Sequence, residues 1–547
     1  MNGAFANPHF SDLEKTLGHT LPAVIAHVAE RYGESPFIIG EDGSSISFAA
    51  FKKQVDILAR ALIAQEVEYG DRVAIWAPNS PEWILAASAI ESIGAIMVPI
   101  NTRFKGAEAA YVLGKTRARI LFTVSSFLGN DYAAMLSNAG GGVDAERPVR
   151  DLPALNRIVE LDTADFEQFQ SKPSGQAALD VRTAAVTPET IADILFTSGT
   201  TGQPKGAMHN HGQALWVAAI WNESNDLRAG DRMAIVNPFF HSFGYRSGWV
   251  SALVAGITVY PLASFDPEAL LALIEREKIT VLMGPPTIFL ALIEHPRFKE
   301  FDIGSLRVGH TGAANVPVDL IRAGREILGF DIFLTSFGQT ESTALVTVNY
   351  PDATFETIAR TVGRPLPGVE LKTIDADGNA LPQGEGGELL VRGPNVMQGY
   401  FEEPEQTAAT VDADGWLHTG DVGCIGEDGT LRILDRLKDV VIVGGFNAYP
   451  AEIENVLRKH PAIADVSVIA WPDERMGEVC AACVIAKPGA SLDLDGLTAW
   501  SRERMANYKV PRHLFLTEDF PRTPLGKIQK FLLREQLKNR IGGGERP

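Results

Sequence analysis

The 547-residue sequence contains little cysteine, only Cys424, Cys480 and Cys483. Three thiols cannot build a disulfide framework, so the composition indicates a reducing compartment. Cys480 and Cys483 have CxxC spacing, but they lie in the apolar run 478–486, which predicts a buried strand. Residues i and i+3 of a strand face opposite ways, and no further cysteine or histidine pair completes a zinc site. We therefore interpret the CxxC as structural.

Positive charge is also scarce. The chain has 49 Lys and Arg against 68 Asp and Glu, a formal net charge of −19. This balance argues against a nucleic-acid binder, because phosphates must be met by a positive face. It does not exclude a small anionic ligand, which responds to the charges immediately around it.

Long uncharged apolar runs are absent as well. The most apolar stretch, 83–100, contains Glu91 and ends at a proline-marked turn, which predicts a core helix leading into a strand instead of a membrane span. The first residues have neither the basic region nor the apolar region of a signal peptide. We expect a cytoplasmic protein with no stable membrane insertion.

The sequence does contain a regular alternation of strand-length apolar runs and helical patterns. Residues 71–76 predict a strand, and 81–93 predict a helix capped by Ser80. Such alternation implies parallel sheets with helices on their faces. The Gly-rich stretch 130–185 has weak periodicity and is predicted to be a surface excursion. From about 360 onward, short strands with Asp-Gly turns predict a β-rich section.

The clearest chemical motif is the segment 194–206, ILFTSGTTGQPKG. A strand leads into a loop that holds three glycines, four hydroxyl side chains and one lysine. Glycines allow backbone N–H groups to approach an anion closely, and hydroxyls add donors. This is the chemistry of a phosphate cradle, although the spacing is not that of a Walker A loop.

This loop resembles the signature loop of the adenylate-forming (AMP-binding) superfamily, in its acyl-CoA synthetase or fatty-acid-CoA ligase branch. Further segments resemble the other family motifs in the same order along nearly the whole chain. They are NPFFHSFG at 237–244, TGAA at 311–314, SFGQTE at 336–341, GWLHTGD at 415–421, DRLKD at 435–439, VGGFNAYPAEI at 443–453 and PRTPLGK at 521–527. The run 237–248 with 284–287 is similar to ligases of steroid-ring and alicyclic acid catabolism.

The resemblance implies an α/β fold with a large N-terminal domain and a small, mobile α+β C-terminal domain. The large domain, 1–435, would contain two stacked α/β subdomains and a β-rich subdomain at about 360–435. The C-terminal domain would span 439–547. Residues 436–438 would form the hinge between them, with Lys438 at the hinge position.

The implied reaction joins a carboxylic acid to CoA in two steps. ATP first converts the acid to an acyl-adenylate and pyrophosphate, and CoA then displaces AMP. Positive charge must offset repulsion between the carboxylate and the α-phosphate in the first step. Lys527 would supply that charge, and Glu341 with Thr201 would hold Mg²⁺. After domain rotation, the glycines at 444–445 would border the pantetheine arm.

The remaining implied nucleotide contacts come from the loop, the adenine segments and the ribose segment. They are Thr197, Ser198, Gly199, Thr200, Thr201, Gly202, Lys205, Gly312, Ala313, Ala314, Ser336, Phe337, Gly338, Gln339, Thr340, Asp421 and Arg436, followed by Gly444 and Gly445 for CoA. Asp421 would accept hydrogen bonds from the ribose with Arg436 beside it, and Phe337 would offer its face to adenine.

The expected acyl pocket is built from apolar, aromatic or small residues, with His241 also expected to act in catalysis. Its candidates are His241, Phe243, Gly244, Trp216, Trp221, Gly284, Pro285, Thr287, His310, Thr311 and Gly338. Such a lining predicts a mainly hydrophobic acid. The resemblance to ligases of steroid-ring and alicyclic acid catabolism implies an alicyclic or steroid-derived acid, and a medium-chain fatty acid or an aryl acid stays open. No Lys or Arg in it faces a second carboxylate, so a dicarboxylic acid is disfavoured.

Two acceptors for the acyl group stay open at this stage. One is soluble CoA, and the other is a carrier protein loaded by a stand-alone adenylation enzyme. The sequence after Lys527 shows no carrier domain, and 237–241 has no aspartate of the kind used for amino acids, which favours CoA. A homodimer is also left open. His209 and His211 are not expected to bind zinc.

Overall fold

The structure is a computed structural model that describes residues 19–142, 148–197, 204–312, 316–443, 446–473, 475–505, 507–522 and 528–542. Several predicted site residues lie outside these ranges. They are Ser198, Gly199, Thr200, Thr201, Gly202, Ala313, Ala314, Gly444, Gly445 and Lys527, together with the side chain of Lys438.

The strands form four sheets. In chain order they are β1 (Pro36–Ile39), β2 (Ser45–Ser47), β3 (Arg72–Trp76), β4 (Ile96–Pro99), β5 (Ile120–Thr123), β6 (Arg157–Glu160), β7 (Ile191–Thr197), β8 (Lys205–Asn210), β9 (Arg232–Ile235), β10 (Thr258–Pro261), β11 (Val281–Gly284), β12 (Val308–Thr311), β13 (Ile332–Phe337), β14 (Thr347–Val348), β15 (Arg364–Pro365), β16 (Glu370–Ile374), β17 (Gly386–Arg392), β18 (Gly399–Tyr400), β19 (Leu417–Ile425), β20 (Leu431–Arg436), β21 (Val441–Val443), β22 (Phe446–Ala448), β23 (Ile463–Asp473), β24 (Gly477–Ala486) and β25 (His513–Leu516).

Helices cover the faces of these sheets. The α-helices are Leu21–Tyr32, Phe48–Ala64, Pro81–Ser92, Gly106–Thr116, Tyr132–Ala139, Ala164–Gln170, Gln176–Ala184, His211–Ser224, Ser242–Gly244, Ser251–Ala255, Pro267–Glu277, Pro286–Ile293, Val318–Glu326, Phe355–Arg360, Pro404–Thr410, Pro450–Leu457, Leu494–Arg502 and Lys530–Gly542, with a π-helix at Tyr245–Val250. None of the helices in the described ranges is long and apolar enough to cross a membrane.

Two large sheets form the body of the molecule and share one hydrophobic core. The first has the order β18-β8-β7-β4-β3-β5-β6, and the second has the order β15-β14-β13-β12-β11-β9-β10-β1-β2. Their central strands run parallel, as expected for strands that alternate with helices. Val73 of the first sheet and Val259 of the second belong to the same buried cluster. This arrangement confirms the predicted α/β class.

The helix Pro81–Ser92 lies inside that shared core. Ser80 caps it, since its hydroxyl accepts a hydrogen bond from the Trp83 amide at 3.2 Å, and Pro81 starts the first turn. From Trp83 onward every residue of the helix is buried, including Glu91. A helix that is apolar on all sides is typical of a position between two layers.

The prediction of a surface excursion over 130–185 is wrong. Strand β6 lies in this stretch and pairs in parallel with β5, so it extends the first sheet to its edge. Three helices, at 132–139, 164–170 and 176–184, accompany it. A four-residue edge strand gives little periodicity, and the Gly-rich run before it conceals the alternation.

Two smaller sheets follow. Strands β16, β17, β19 and β20 form an antiparallel sheet, and β21–β25 form the sheet of the C-terminal part. The Asp-Gly turns of the β-rich section place Gly378, Gly415 and Gly429 at φ values of 84°, 80° and 78°, a region that suits glycine. The boundaries predicted at 435 and 439 stay predictions.

The two cysteines of the CxxC motif face opposite sides of β24. Cys480 packs in one apolar cluster and Cys483 in another. Burial raises the pKa of each thiol to about 12. Both thiols therefore stay protonated at neutral pH and belong to the core.

Candidate active site

A cavity of about 880 Å³ lies where strands of both large sheets end. Thr197 closes β7, Ser336 is near the end of β13, and Pro99 closes β4; all three border the cavity. The carboxyl edge of a parallel sheet is where ligands bind in open α/β folds. Arg522 and Gln529, from the C-terminal part of the chain, border the same space.

Many of the predicted site residues meet at this cavity. Those that border it are Thr197, Lys205, Trp221, His241, Phe243, Gly312, Ser336, Gly338, Gln339, Thr340, Glu341 and Arg436. Other candidates do not border it: Trp216, Gly244, Gly284, Pro285, Thr287, His310, Thr311, Phe337 and Asp421.

Packing explains several of these exceptions. A side chain on Gly244 would lie 2.3 Å from the carbonyl oxygen of Asn237, and one on Gly284 would lie 2.7 Å from Ile288. Both glycines therefore allow close packing instead of lining an acyl pocket. Thr287 is exposed on its helix. Phe337 alternates with Ser336 along β13 and packs against the main core.

Glu341 has a well-defined setting on the nucleotide side. Its Oε1 accepts a hydrogen bond from the Tyr400 hydroxyl at 2.8 Å, and its carbonyl accepts one from the Met397 amide at 2.9 Å. Burial and the neighbouring carboxylate raise the pKa of Tyr400. Tyr400 therefore stays a phenol that donates to Glu341 and fixes the carboxylate in place.

A carboxylate beside the cavity is a ligand that Mg²⁺ uses together with substrate phosphates and water. Across the described part of the chain, no group of three or more His, Cys, Asp or Glu could hold a metal ion. The chemistry of Glu341 therefore fits a metal that arrives with its nucleotide, and it does not fit a resident protein-enclosed metal. A zinc site at His209 and His211 is not found.

Lys205 lies over the aromatic ring of Tyr400. Its Nζ is 4.8 Å from the centre of the Tyr400 ring and 3.1 Å from Oε1 of Gln406. An ammonium over an aromatic face is attracted by the ring. Lys205 is thereby held at the base of the phosphate loop.

Asp421 and Arg436 occupy paired positions on β19 and β20. The Arg436 Nε lies 2.9 Å from Oδ1 of Asp421, which is buried, and the Asp421 amide donates to the Thr419 hydroxyl at 3.1 Å. Arg436 borders the cavity, and Asp421 stands behind it. Their role at the ribose stays a prediction.

His310 is not an acyl-pocket residue. It is fully buried, and its ring centre lies 4.2 Å from that of Trp221. Its Nδ1 lies 2.7 Å from Oδ1 of Asn225, and its Nε2 lies 2.9 Å from the Ser336 hydroxyl. Asn225 donates its amide to the Trp221 carbonyl, so Oδ1 faces the imidazole and Nδ1 carries the proton. Burial lowers the pKa of His310 to about 3. His310 thus orients Ser336 from behind.

His241 borders the cavity as a neutral imidazole. Its Nδ1 accepts a hydrogen bond from the Phe243 amide at 3.2 Å and caps the short helix that follows. Burial lowers its pKa to about 4. The proton therefore resides on Nε2, and the ring can donate a hydrogen bond at neutral pH.

The residues of one wall of the cavity were not predicted from the sequence. This wall consists of the segment after β4 and the helix that follows, with Ile100, Asn101, Arg103, Phe104, Glu108 and Val112. The expectation that no arginine faces the pocket is incomplete, because Arg103 borders the space. The carboxyl end of strand β4 could have pointed to this segment, because ligands bind at that edge of a parallel sheet.

Comparison with known proteins places the chain in a family. The model of the AMP-binding enzyme matches residues 25–401, and that of the AMP-binding enzyme C-terminal domain matches 452–527. The chain belongs to the AMP-binding enzyme family. The match covers most of the chain, so the predicted family is confirmed.

Its relatives are ligases that form CoA thioesters. The chain is 43% identical over 522 residues to the 3-[(3aS,4S,7aS)-7a-methyl-1,5-dioxo-octahydro-1H-inden-4-yl]propanoyl:CoA ligase of Rhodococcus jostii (strain RHA1), covering 95% of this chain and 99% of the relative. It is 32% identical over 546 residues to the mitochondrial medium-chain acyl-CoA ligase ACSF2 of Homo sapiens, covering 96% and 88%. These relatives confirm the predicted class, an AMP-forming acyl-CoA ligase that uses ATP and CoA.

Solved structures show the same architecture. The anthranilate CoA ligase AuaEII in complex with anthranoyl-AMP superposes with a TM-score of 0.84 at 27% identity, covering 96% of this chain and 98% of that one. A fatty acyl CoA synthetase of Mycobacterium tuberculosis gives a TM-score of 0.74, also at 27% identity, covering 95% and 98%.

Proposed function

We propose that this ligase activates a hydrophobic alicyclic acid of the propanoic type in the cavity and transfers it to CoA. The observation that carries the proposal is that one cavity has both kinds of lining. Polar groups such as Ser336, Glu341 and Arg436 border it, and so do the aromatic rings of Trp221, Phe240 and Phe243. A nucleotide and an apolar acid can thus meet in one space.

The polar lining would bind ATP. Glu341 would hold Mg²⁺ on the phosphate oxygens, and Lys205 would face the same phosphates from the loop. Bound Mg²⁺ would neutralise part of the charge that develops on the phosphoryl oxygens. Arg436 with Asp421 would hold the ribose, and Ser336 with Gln339 would border the adenine.

The ammonium group of Lys527 would supply the positive charge that offsets the repulsion between the carboxylate and the α-phosphate. It lies outside the described ranges, but Arg522 and Gln529 on either side of that segment both border the cavity. His241, as a neutral donor, would orient the acid carboxylate through a hydrogen bond from Nε2.

The acid itself is proposed from the aromatic lining and the relatives. Trp221 and Phe243 make an edge-to-face pair with ring centres 5.9 Å apart, which gives a rigid apolar wall. The Rhodococcus relative is named for a bicyclic diketo propanoic acid, and ACSF2 is named for medium-chain acids. We expect a fused-ring propanoic acid to be preferred over a linear chain.

The second step is proposed to follow rotation of the C-terminal domain about Lys438, with Gly444 and Gly445 bordering the pantetheine arm. CoA is the proposed acceptor, and a carrier protein is the alternative. A homodimer stays a prediction, as does a cytoplasmic location.

The proposal is tested by incubating the protein with ATP, Mg²⁺, CoA and a panel of medium-chain, aryl and alicyclic propanoic acids, and measuring AMP release. We expect AMP with CoA and the highest kcat/KM for an alicyclic acid. Release of AMP only with an acyl carrier protein would show that the carrier protein, and not CoA, is the acceptor. No AMP with any acid would refute the ligase proposal for this site.

A further inference from the structure

A buried ionic cluster joins β7, β8 and the π-helix Tyr245–Val250, and its side chains do not border the cavity. Asp193 of β7 and His209 of β8 are directly opposite each other in the hairpin that brackets the loop. His209 Nδ1 lies 2.8 Å from Asp193 Oδ1, and Arg246 donates to Asp193 Oδ2 at 2.5 Å. All three side chains are completely buried.

The cluster reaches the cavity through one hydrogen bond. Nε2 of His209 lies 2.8 Å from the carbonyl oxygen of Thr340. A carbonyl oxygen only accepts, so Nε2 must donate. Thr340 starts the single 3₁₀ turn that carries Glu341. The imidazole therefore ties the turn of the metal-binding carboxylate to the hairpin of the phosphate loop.

The other end of the cluster is attached to the acid side. Arg246 belongs to the π-helix Tyr245–Val250, in which Gly248 departs from helical geometry. Such helices are rare and occur frequently at functional sites. Ser247, the next residue, borders the cavity. Tyr245 donates to Glu91 of the central helix at 2.7 Å, which fixes the π-helix against the core.

We propose that His209 is a positioning residue for nucleotide binding, one that sets the position of Glu341 against strand β8 by donating to the Thr340 carbonyl. The inference rests on the proposed function, because it assigns Glu341 to the Mg²⁺ of ATP. His209 itself touches neither ligand. Groups behind a metal ligand commonly affect metal affinity or activity by roughly 10–100-fold.

The two nitrogens of His209 can be tested separately. In His209→Gln, the amide nitrogen can take the place of Nε2 and keep the bond to Thr340. In His209→Asn, the shorter amide can take the place of Nδ1 and keep only the contact with Asp193. His211→Gln is the matched control, since His211 is buried two residues away and its Nδ1 accepts from the Leu21 amide instead.

The primary measurement is binding of Mn²⁺ and ATP without acid, followed by electron paramagnetic resonance. We expect His209→Asn to weaken Mn²⁺–ATP binding by roughly 10-fold or more, while His209→Gln and His211→Gln stay within about twofold to threefold of wild type. Thermal melts verify that each variant is folded, and His209→Gln supplies a milder comparison.

Equal Mn²⁺–ATP affinity in His209→Asn and His209→Gln would overturn the inference. So would equal losses in His209→Asn and His211→Gln, because both would then reflect disturbed packing. If wild type binds Mn²⁺–ATP but forms no adenylate with any acid, the proposed function fails while the binding comparison still decides the role of His209.

Discussion

The polar and aromatic linings of the cavity are built in different ways. On the polar side, cavity groups have defined partners behind them: Ser336 has His310, Glu341 has Tyr400, and Arg436 has Asp421. On the aromatic side, Trp221 and Phe243 are held by ring packing. Hydrogen bonds fix direction, whereas apolar packing fixes mainly volume. We therefore expect substitutions on the nucleotide side to lower activity. Substitutions on the acid side should instead change which acid is preferred.

The largest expected effect concerns Lys527. Lys527→Ala should lower adenylate formation by roughly 1,000-fold, because a preorganised charge at the developing phosphoryl charge is lost. Thioester formation from a supplied acyl-adenylate should be spared. Separate assays of pyrophosphate release and CoA thioester formation measure the two steps. Equal loss of both would contradict the division of labour between domain orientations.

Tyr400→Phe changes the polar lining at the hydrogen-bond partner of Glu341. It removes the hydrogen bond to Glu341 without removing the ring under Lys205. Loss of a hydrogen bond to a charged group corresponds to roughly 10-fold, and we expect it in the KM for MgATP. The KM for the acid should hardly change. A change confined to the acid KM would show that the two linings are not separate.

Phe243→Leu alters the aromatic lining with little change in volume. Such apolar exchanges usually cost under about 1.5 kcal/mol of stability. We expect kcat/KM for a fused-ring acid to fall by roughly 10-fold, and kcat/KM for a linear medium-chain acid to fall less. The KM for ATP is the internal control. Parallel losses for all acids and for ATP would count against an acid-selecting wall.

The smallest effect on rate is expected from pH, although His241 borders the cavity and His310 is buried behind Ser336. His241 and His310 have pKa values lowered by burial to about 4 and about 3. They stay neutral from pH 6 to 8, so neither should produce a limb in the rate profile there. A kinetic limb in that range that disappears in His241→Gln would contradict the neutral-donor role.

Stability should respond to acid instead. The unfolded chain binds a proton at each histidine below about pH 6.5, whereas the folded state does not until about pH 4 or 3. Stability is therefore lost as pH falls from about 6.5, by up to about 1.4 kcal/mol per pH unit for each such histidine. His310→Gln should reduce this slope by about one proton, measured by denaturant unfolding between pH 4 and 6. An unchanged slope would show that His310 is charged when folded.

The polar side could be foreseen because it is specified by local motifs. Glu341 and Ser336 lie in one hexapeptide on one strand end, and the paired strands fix Asp421 opposite Arg436. The layers behind them could not be foreseen, since His209 meets Thr340 from 131 positions away. His310 is an example of the resulting error: its sequence position suggested the acyl pocket, but its burial places it behind Ser336.

The aromatic side depended on tertiary packing even more. The segment 99–104 borders the cavity only because β4 lies beside β7 in the first sheet. Edge strand β6 was missed for a related reason, since four residues carry little periodic signal. Local motifs therefore predicted many of the polar residues that meet at the cavity, and contacts between distant elements determine its other walls.

The central claim is that one cavity activates the acid with ATP before CoA is used. It is tested most directly by acid-dependent exchange of labelled pyrophosphate into ATP without CoA, in wild type and Glu341→Gln. We predict exchange that requires the acid in wild type and falls by roughly 100-fold or more in Glu341→Gln. Exchange that needs no acid, or that persists at the wild-type rate in Glu341→Gln, would contradict the account.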